Sequence, residues 1–179
     1  MKPAHTFLTL TFLVYGLFSV NGCVPPISKQ LREQVSEELT LKVVLKDPEA
    51  HKGETVLWSG VIISSVNLKE GTMIEVLQKP ADIQGRPKDV DESEGRFLAL
   101  YSGYLDVAIY SQGRKVTVAG KIQGKKIQRL GEIEYTYPLI SAKEVHLWPP
   151  KKEEIYYPCP YPSWHYPWWY GPYWYPYCW

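Results

Sequence analysis

The chain has 179 residues, with 20 lysine and arginine side chains against 19 aspartates and glutamates, and a formal net charge of +1. This balance argues against nucleic acid as a partner, because nucleic-acid binding needs a concentrated basic surface. The length suffices for one domain with its own hydrophobic core. The aromatic residues are not spread evenly but accumulate at the C-terminus.

Residues 1–22 have the pattern of a secretory signal. Lys2 precedes a short apolar stretch, Phe7 to Phe18, and a stretch of about a dozen apolar residues is typical of such signals. A membrane-spanning helix needs about 20 apolar residues, so this stretch is too short to span a bilayer. The segment therefore predicts export.

Cys23 stands at the predicted cleavage point, with Gly22 before it and Val20 three residues upstream. This arrangement resembles a bacterial lipobox. The resemblance implies that Cys23 becomes the acylated first residue of the mature protein and carries a diacylglycerol and an N-acyl chain. The alternative is an ordinary signal that leaves Cys23 as a free or bridging thiol. Val24 stands where an aspartate would favour retention in the inner membrane, so we expect the outer membrane and a periplasm-facing chain.

Three segments follow the signal. Residues 23–38 are predicted to be a lipid-anchored tether, in which Ser28 caps a short helix or the segment folds only against the domain. Residues 39–150 are predicted to form the folded domain. Residues 151–179 are predicted to be a tail rich in proline, tyrosine and tryptophan.

The domain is predicted to be mainly β. Alternating apolar residues and turn residues predict strands at 39–43, 55–66, 72–77, 96–101, 116–122, 132–137 and 139–148. We also expect a bulge or bend at Gly60, a helical turn opened by Asp47, a surface loop over 79–95 and a short helix containing Leu105 and Ile109. This order predicts a small antiparallel Greek-key barrel resembling the OB-fold, with one or two short helices. A small β-sandwich is the alternative.

Three motifs in the domain resemble the Slp family of bacterial outer-membrane lipoproteins. They are Asp47-Pro48-x-x-x-x-Gly53-x-x-Val56-x-Trp58-x-Gly60-Val61-Ile62, Gly113-Arg114-x-Val116-Thr117-Val118-Ala119-Gly120, and Gly131-Glu132-x-Glu134-Tyr135-x-Tyr137-Pro138-Leu139-Ile140, which closes with Leu147-Trp148. The tail from Lys151 onward is expected to lie outside the shared region. The resemblance implies a small outer-membrane lipoprotein, associated in some members with starvation or stationary phase. It supplies no catalytic residues.

The sequence lacks the common motifs for catalysis and metal binding. No phosphate-binding loop, G-x-S-x-G or H-E-x-x-H motif occurs, so no catalytic residue and no metal site are predicted. Asp89-x-Asp91-x-Ser93 begins like a calcium loop, but Leu100 stands where the glutamate ligand belongs. A solvated acidic loop is the expectation there.

Six aromatic residues of the domain invite two interpretations. They either stack on a polymer ligand or pack the core and its rim, and we favour packing. These residues are Trp58, Tyr101, Tyr104, Tyr135, Tyr137 and Trp148.

The tail is expected to be disordered and partly polyproline-like, because its many prolines remove backbone donors. Cys159 and Cys178 are predicted to pair as a disulfide in an oxidising compartment. Free or intermolecular thiols, or a soft-metal site with His165, are the alternatives. The tail tryptophans are predicted to contact the bilayer interface, a saccharide or another protein, unless the tail has no selected role. They are Trp164, Trp168, Trp169 and Trp174.

These features predict a non-enzymatic, lipid-anchored outer-membrane protein with an envelope-integrity or starvation-related scaffold or binding role. The alternative is an OB-like binding module that recognises an envelope saccharide or protein through the barrel face or the aromatic tail. The sequence does not define an oligomeric state.

Overall fold

The computed structural model describes residues 25–36 and 38–151. Within them, five strands form a closed barrel, and two short helices precede it. The elements are α1 (Lys29–Arg32), α2 (Leu41–Lys46), β1 (Thr55–Leu68), β2 (Gly71–Gln78), β3 (Arg96–Tyr101), β4 (Lys115–Leu130) and β5 (Ile133–Leu147). The predicted mainly β barrel is confirmed. No helix in this described part is long and apolar enough to span a bilayer.

The strands follow the order β1-β2-β3-β5-β4, and β4 returns to β1 to close the barrel. Four neighbouring pairs are antiparallel, and β3 with β5 is parallel. β1 is long enough to serve two neighbours, since its first half pairs with β4 and its second half with β2. A five-stranded Greek-key barrel of this kind is the architecture of the OB-fold.

The predicted strand at 39–43 is wrong, because this stretch leads into helix α2. Thr40 is the N-cap, and its Oγ1 accepts a hydrogen bond from the Val43 amide at 3.4 Å. Leu41 and Val44 are buried, and a spacing of three residues places both on one face of a helix. Five alternating residues were too short a window to separate the two periods.

The predicted helix around Leu105 and Ile109 is also wrong. The structure has one turn there, in which the amides of Ile109 and Tyr110 donate to the Asp106 carbonyl at 3.0 and 2.9 Å. The Leu105 amide is instead bound by Thr72 Oγ1 on β2. The helix that packs buried residues against the barrel is instead α2, which precedes the barrel in sequence.

The structure also differs from the sequence predictions near three glycine and proline residues. The bulge in β1 lies between Ile62 and Ser64 and not at Gly60. Gly60 serves a close approach, because a Cβ there would lie 2.2 Å from the Leu77 carbonyl oxygen. β4 continues through Gly124, where its register with β5 shifts. β5 is one strand that includes Pro138, at a point where β3 has not yet paired with it.

The turn expected after Asp47 is present, but it forms no helix. Asp47 Oδ1 accepts a hydrogen bond from the Ala50 amide at 3.3 Å. Gly53 has a φ of +89°, as expected for the residue that closes this turn. The stretch 79–95 is a loop, as predicted, apart from an isolated bridge between Ala81 and Pro87.

The core lies inside the barrel and receives alternate side chains from every strand together with α2. Leu45 of α2 reaches Gly95, just before β3. We call this end, where β1 and β3 begin, the helix end, and the end with the β1–β2 turn and the β3–β4 loop the turn end. The buried cluster includes Leu41, Val44, Val56, Trp58, Ile62, Ile74, Val76, Phe97, Val116, Val118, Ile122 and Ile140.

The described part of the predicted tether packs on the barrel. Ile27 is only 2% exposed, and the Ser28 amide donates to Glu144 Oε2 at 2.8 Å. Further along, Val35 forms a parallel bridge with Thr55, the first residue of β1. The segment therefore runs from the later half of β5 to the helix end. Helix α1 is a single turn, and the Ser28 side chain makes no capping bond.

Candidate functional site

Several predicted site residues fall outside the described part of the chain. They are Cys23, Cys159, His165 and Cys178, and the tail tryptophans Trp164, Trp168, Trp169 and Trp174. The candidate site lies on the barrel and its N-terminal segment.

The six domain aromatics do not form one exposed platform. Trp58, Tyr137 and Trp148 are 6, 2 and 9% exposed, and this burial confirms the packing interpretation for these three. The indole nitrogen of Trp58 donates to the Leu39 carbonyl at 3.0 Å. Tyr101 and Tyr135 are partly buried. The sixth residue, Tyr104, is 74% exposed and is not a core residue.

The loop over 79–95 is held against β1 and β4. The Gly85 carbonyl accepts hydrogen bonds from Ser59 Oγ and Thr117 Oγ1, each at 2.7 Å. Lys115 Nζ donates to the Pro87 carbonyl and pairs with Asp89 at 2.5 Å. The first acidic residue of the calcium-like motif is thus in an ion pair. Within the described ranges, no three histidine, cysteine or acidic residues cluster so as to hold a metal ion.

The outer face of β2 and β3 carries a polar network centred on Glu75. Its Oε1 accepts from Arg96 at 2.8 Å and from the Tyr137 hydroxyl at 3.1 Å, and its Oε2 accepts from Ser64 at 3.3 Å. Hydrogen bonding to Glu75 raises the pKa of Arg96. Burial, and then Glu75, raise the pKa of Tyr137. Arg96 therefore stays charged and Tyr137 stays protonated. This is the face that OB-folds use for ligands, and here the chain's own side chains occupy part of it.

Two histidines lie within the described residues. His51 Nδ1 is 3.3 Å from Glu54 Oε1 in the turn before β1. His146 on β5 lies edge-to-face against Trp148, with ring centroids 4.6 Å apart, and burial lowers its pKa. Neither histidine belongs to the Glu75 network or lines the cleft beside the first half of β1.

A cleft of about 640 Å³ opens at the helix end, between the N-terminal segment and the first half of β1. We call it the β1 cleft. Its apolar lining includes Leu39, Leu57 and the edge of Trp58, and charged residues from α1 and the 79–95 region surround it. The cleft exists because β2 begins to pair with β1 only at Gly60.

Leu57 presents its main chain to this cleft. In an antiparallel pair, successive residues direct their N–H and C=O groups to opposite sides. The carbonyls of Thr55 and Ser59 accept from the Ser36 and Lys79 amides at 3.1 and 2.9 Å on the cleft side. Leu57 lies between them and shares their direction. In the described part of the chain, its N–H and C=O groups meet no main-chain partner from the segments on that side.

The charges around the β1 cleft are of both signs and are held by neighbours. Lys29 Nζ in α1 lies 3.7 Å from Oε1 of Glu33, the residue that follows this helix. Lys79 Nζ donates to the Val90 carbonyl at 2.8 Å, and Glu94 accepts from the Lys42 amide at 3.0 Å. None of the described lining residues is a histidine or a cysteine. The arrangement can bind an extended chain through Leu57, and it offers no nucleophile with an adjacent base.

Three known bacterial proteins are similar in sequence to most of this chain. An uncharacterized protein of Haemophilus influenzae is 29% identical over 142 residues, which cover 79% of this chain and 75% of the relative. The outer membrane protein Slp of Escherichia coli is 25% identical, covering 83% and 76%. The uncharacterized lipoprotein YeaY of Escherichia coli is 26% identical, covering 85% and 79%.

Among solved structures, a small single-stranded DNA-binding protein from Streptomyces coelicolor is similar. It is 12% identical with a TM-score of 0.31, and the match covers 53% of this chain and 94% of that one. The score is too low to carry an argument, so our fold assignment rests on the strand order.

The family model described as "Outer membrane lipoprotein Slp family" matches residues 20–177. The match includes Cys23, and it extends through most of the tail, so the expectation that the tail lies outside the shared region is wrong. The predicted outer-membrane lipoprotein is confirmed by this match and by the named relatives. The chain belongs to the Slp family of outer membrane lipoproteins.

Proposed function

We propose that the chain is anchored by a diacylglycerol and an N-acyl chain on Cys23, faces the periplasm, and acts without catalysis as a scaffold or binding protein in envelope integrity or starvation. The signal then ends at residue 22, and the tether, barrel and tail occupy 23–38, 39–150 and 151–179. A Cys159–Cys178 disulfide and contacts of the tail tryptophans with the bilayer interface or an envelope component belong to the same proposal.

The single observation that carries this proposal is how the barrel uses its polar side chains. Glu75 is bound by Arg96 and Tyr137, and Lys115 pairs with Asp89. Groups committed to such pairs hold the barrel together and are not poised to attack a substrate. Membership of an outer-membrane lipoprotein family agrees with the proposed location of the chain.

The periplasmic orientation predicts protection from protease in intact cells. The loop over 79–95 is polar and exposed at Asp91, Glu92 and Ser93, and exposed loops are preferred cleavage sites. Added proteinase K should leave the protein whole in intact cells and cut it once the outer membrane is permeabilised. A surface-exposed and a periplasmic protein of the same cells serve as controls. Cleavage in intact cells would show that the chain faces outward and would contradict the proposal.

The Leu57 edge favours a second candidate function, recognition of an extended peptide segment of another envelope protein. Strand addition to an unpaired sheet edge gives affinity through main-chain hydrogen bonds and specificity through neighbouring side-chain pockets. The β1 cleft offers both, with Leu57 supplying the edge and Leu39 and Trp58 lining the space beside it. This geometry favours a peptide over a saccharide, which has no main-chain amides to pair.

Leu57→Pro tests this second candidate, because proline removes the edge N–H and is tolerated at strand edges. Peptides selected from a phage-displayed library on the mature chain should lose about fivefold in affinity, as expected when the one bond made by the Leu57 N–H, worth about 1 kcal/mol, is lost. Leu57→Ala is the matched control, since it keeps the N–H. Equal binding by Leu57→Pro, with an unchanged circular dichroism spectrum, or binding of peptidoglycan fragments alone, would refute peptide recognition.

A further inference from the structure

The first described residues of the N-terminal segment contact the barrel at the turn end. Pro26 and Ile27 line a hollow of about 330 Å³ together with Tyr101, Leu105 and Tyr110. Ile27 is buried, so this part of the N-terminal segment is fixed to the barrel wall. A polypeptide extends by at most about 3.6 Å per residue, and Cys23 is two residues before Pro25. The two peptide units that join Cys23 to Pro25 can span at most about 7 Å, so the proposed lipid is attached to the chain close to this end of the barrel.

Five of the ten large apolar side chains that are exposed in the described part of the chain lie at this same end. We call them the apolar rim: Val66, Leu68, Tyr104, Val107 and Ile109. Val66 and Leu68 end β1, and the other three belong to the β3–β4 loop. Their exposed fractions range from 37% to 74%. Exposed apolar side chains mark an interaction surface when they form one contiguous patch, whereas isolated ones are normal.

Hydrogen bonds hold the two parts of the rim together. Ser65 Oγ on β1 donates to the Tyr110 carbonyl at 2.7 Å. The Leu105 amide donates to Thr72 Oγ1 on β2 at 2.9 Å, and Arg114 Nη1 donates to the Ile109 carbonyl at 3.2 Å. The β3–β4 loop is thereby fixed to the ends of β1 and β2. The apolar side chains of the rim are therefore held at the surface and are not buried in the core.

The chemistry of the rim suits a lipid surface. It combines aliphatic side chains with a tyrosine, a residue that favours the bilayer interface, where its ring is buried and its hydroxyl stays hydrated. Lys69 and Glu70 in the β1–β2 turn and Asp106 in the β3–β4 loop are exposed beside it. This mixed border lets the rim enter a headgroup layer without carrying a large charge of one sign.

We propose that the turn end of the barrel rests on the membrane, with the apolar rim in the headgroup region of the leaflet that holds the acyl chains of Cys23. The helix end, with the β1 cleft, then points away from the lipid. This inference rests on the proposed lipidation of Cys23, and it adds which surface of the barrel contacts the membrane. The anchor and the rim act together, because a lipid fixed beside the rim keeps it at the surface.

Labels at two matched positions test the orientation. Ile109 in the rim is 52% exposed, and Ile133 at the far end of the β4–β5 hairpin is 61% exposed. Each is replaced by cysteine in the full lipidated chain carrying Cys159→Ser and Cys178→Ser, and is given a nitroxide label. The protein is reconstituted into vesicles of phosphatidylethanolamine and phosphatidylglycerol. Relaxation by oxygen, which concentrates in lipid, is compared with relaxation by a water-soluble nickel complex.

The Ile109→Cys label should show an oxygen-to-nickel ratio several-fold higher than the Ile133→Cys label. Mass spectrometry of the same samples establishes whether Cys23 carries lipid, and circular dichroism checks the fold. Equal, water-like ratios on a lipidated chain would overturn the orientation and leave the anchor standing. A chain without lipid on Cys23 would overturn both. A higher ratio at Ile133 would place the opposite end of the barrel on the membrane.

Discussion

Replacing Cys23 by serine is expected to abolish incorporation of a fatty-acid probe into the protein. The proposed diacylglycerol is joined through a thioether, and serine has no sulfur to form it. One acyl chain binds a bilayer with an affinity of only about 10⁴ M⁻¹, whereas two or more chains hold a protein stably. The variant should therefore also leave the outer-membrane fraction. Metabolic labelling followed by membrane fractionation measures both effects.

The chain contains its own controls for this experiment. Cys159→Ser and Cys178→Ser each remove a thiol and leave the predicted lipobox unchanged. Both variants should keep the label of the unmodified chain. Equal labelling of Cys23→Ser would contradict lipidation at this residue. Loss of label from Cys159→Ser or Cys178→Ser alone would place the acyl group in the tail.

The barrel could be predicted because its strands carry the pattern that sheets require. The strands at 72–77 and 96–101 are confirmed to within one residue at each end. In β2 every second residue is buried, as alternation requires, whereas β3 is a short apolar run in which Phe97, Leu98 and Ala99 are all buried, a pattern that also indicates a strand. The errors occurred where short-range pattern and long-range packing disagree. In 39–43 the alternation was accidental, because the buried pair is Leu41 and Val44. Around Leu105 the helical spacing did not give a helix, because the Leu105 amide donates a hydrogen bond to Thr72 Oγ1 on β2.

The candidate site was harder to predict than the fold. Trp58 and Tyr104 are both large aromatics in a β-domain, yet one is buried and the other is exposed, and only the closed barrel distinguishes them. The β1 cleft depends on where β2 stops pairing with β1 and on how the N-terminal segment lies beside Thr55. Both are long-range relationships. The apolar residues Ile27 and Val35, spaced along a supposed tether, were the available signal that this segment packs on the barrel.

Trp58→Ala is expected to destabilise the barrel by about 3–5 kcal/mol, the usual cost of removing a large buried aromatic side chain. The Trp58 ring packs edge-to-face on Phe97 with centroids 5.3 Å apart, and its indole nitrogen binds the Leu39 carbonyl, which fastens the N-terminal segment to β1. A small domain has about 5–15 kcal/mol of stability in total. Urea unfolding of the mature chain carrying Cys23→Ser, followed by circular dichroism, measures the loss.

Two further variants separate the packing contribution from the hydrogen bond. Trp58→Phe keeps an aromatic ring beside Phe97 and leaves the Leu39 carbonyl without its donor, so we expect a smaller loss of about 1–2 kcal/mol. Tyr104→Ala removes an exposed ring and should change stability by no more than about 0.5 kcal/mol. If Trp58→Ala proves as mild as Tyr104→Ala, Trp58 is not a core residue. Its edge in the β1 cleft would then have to be explained as a surface that stacks on a ligand.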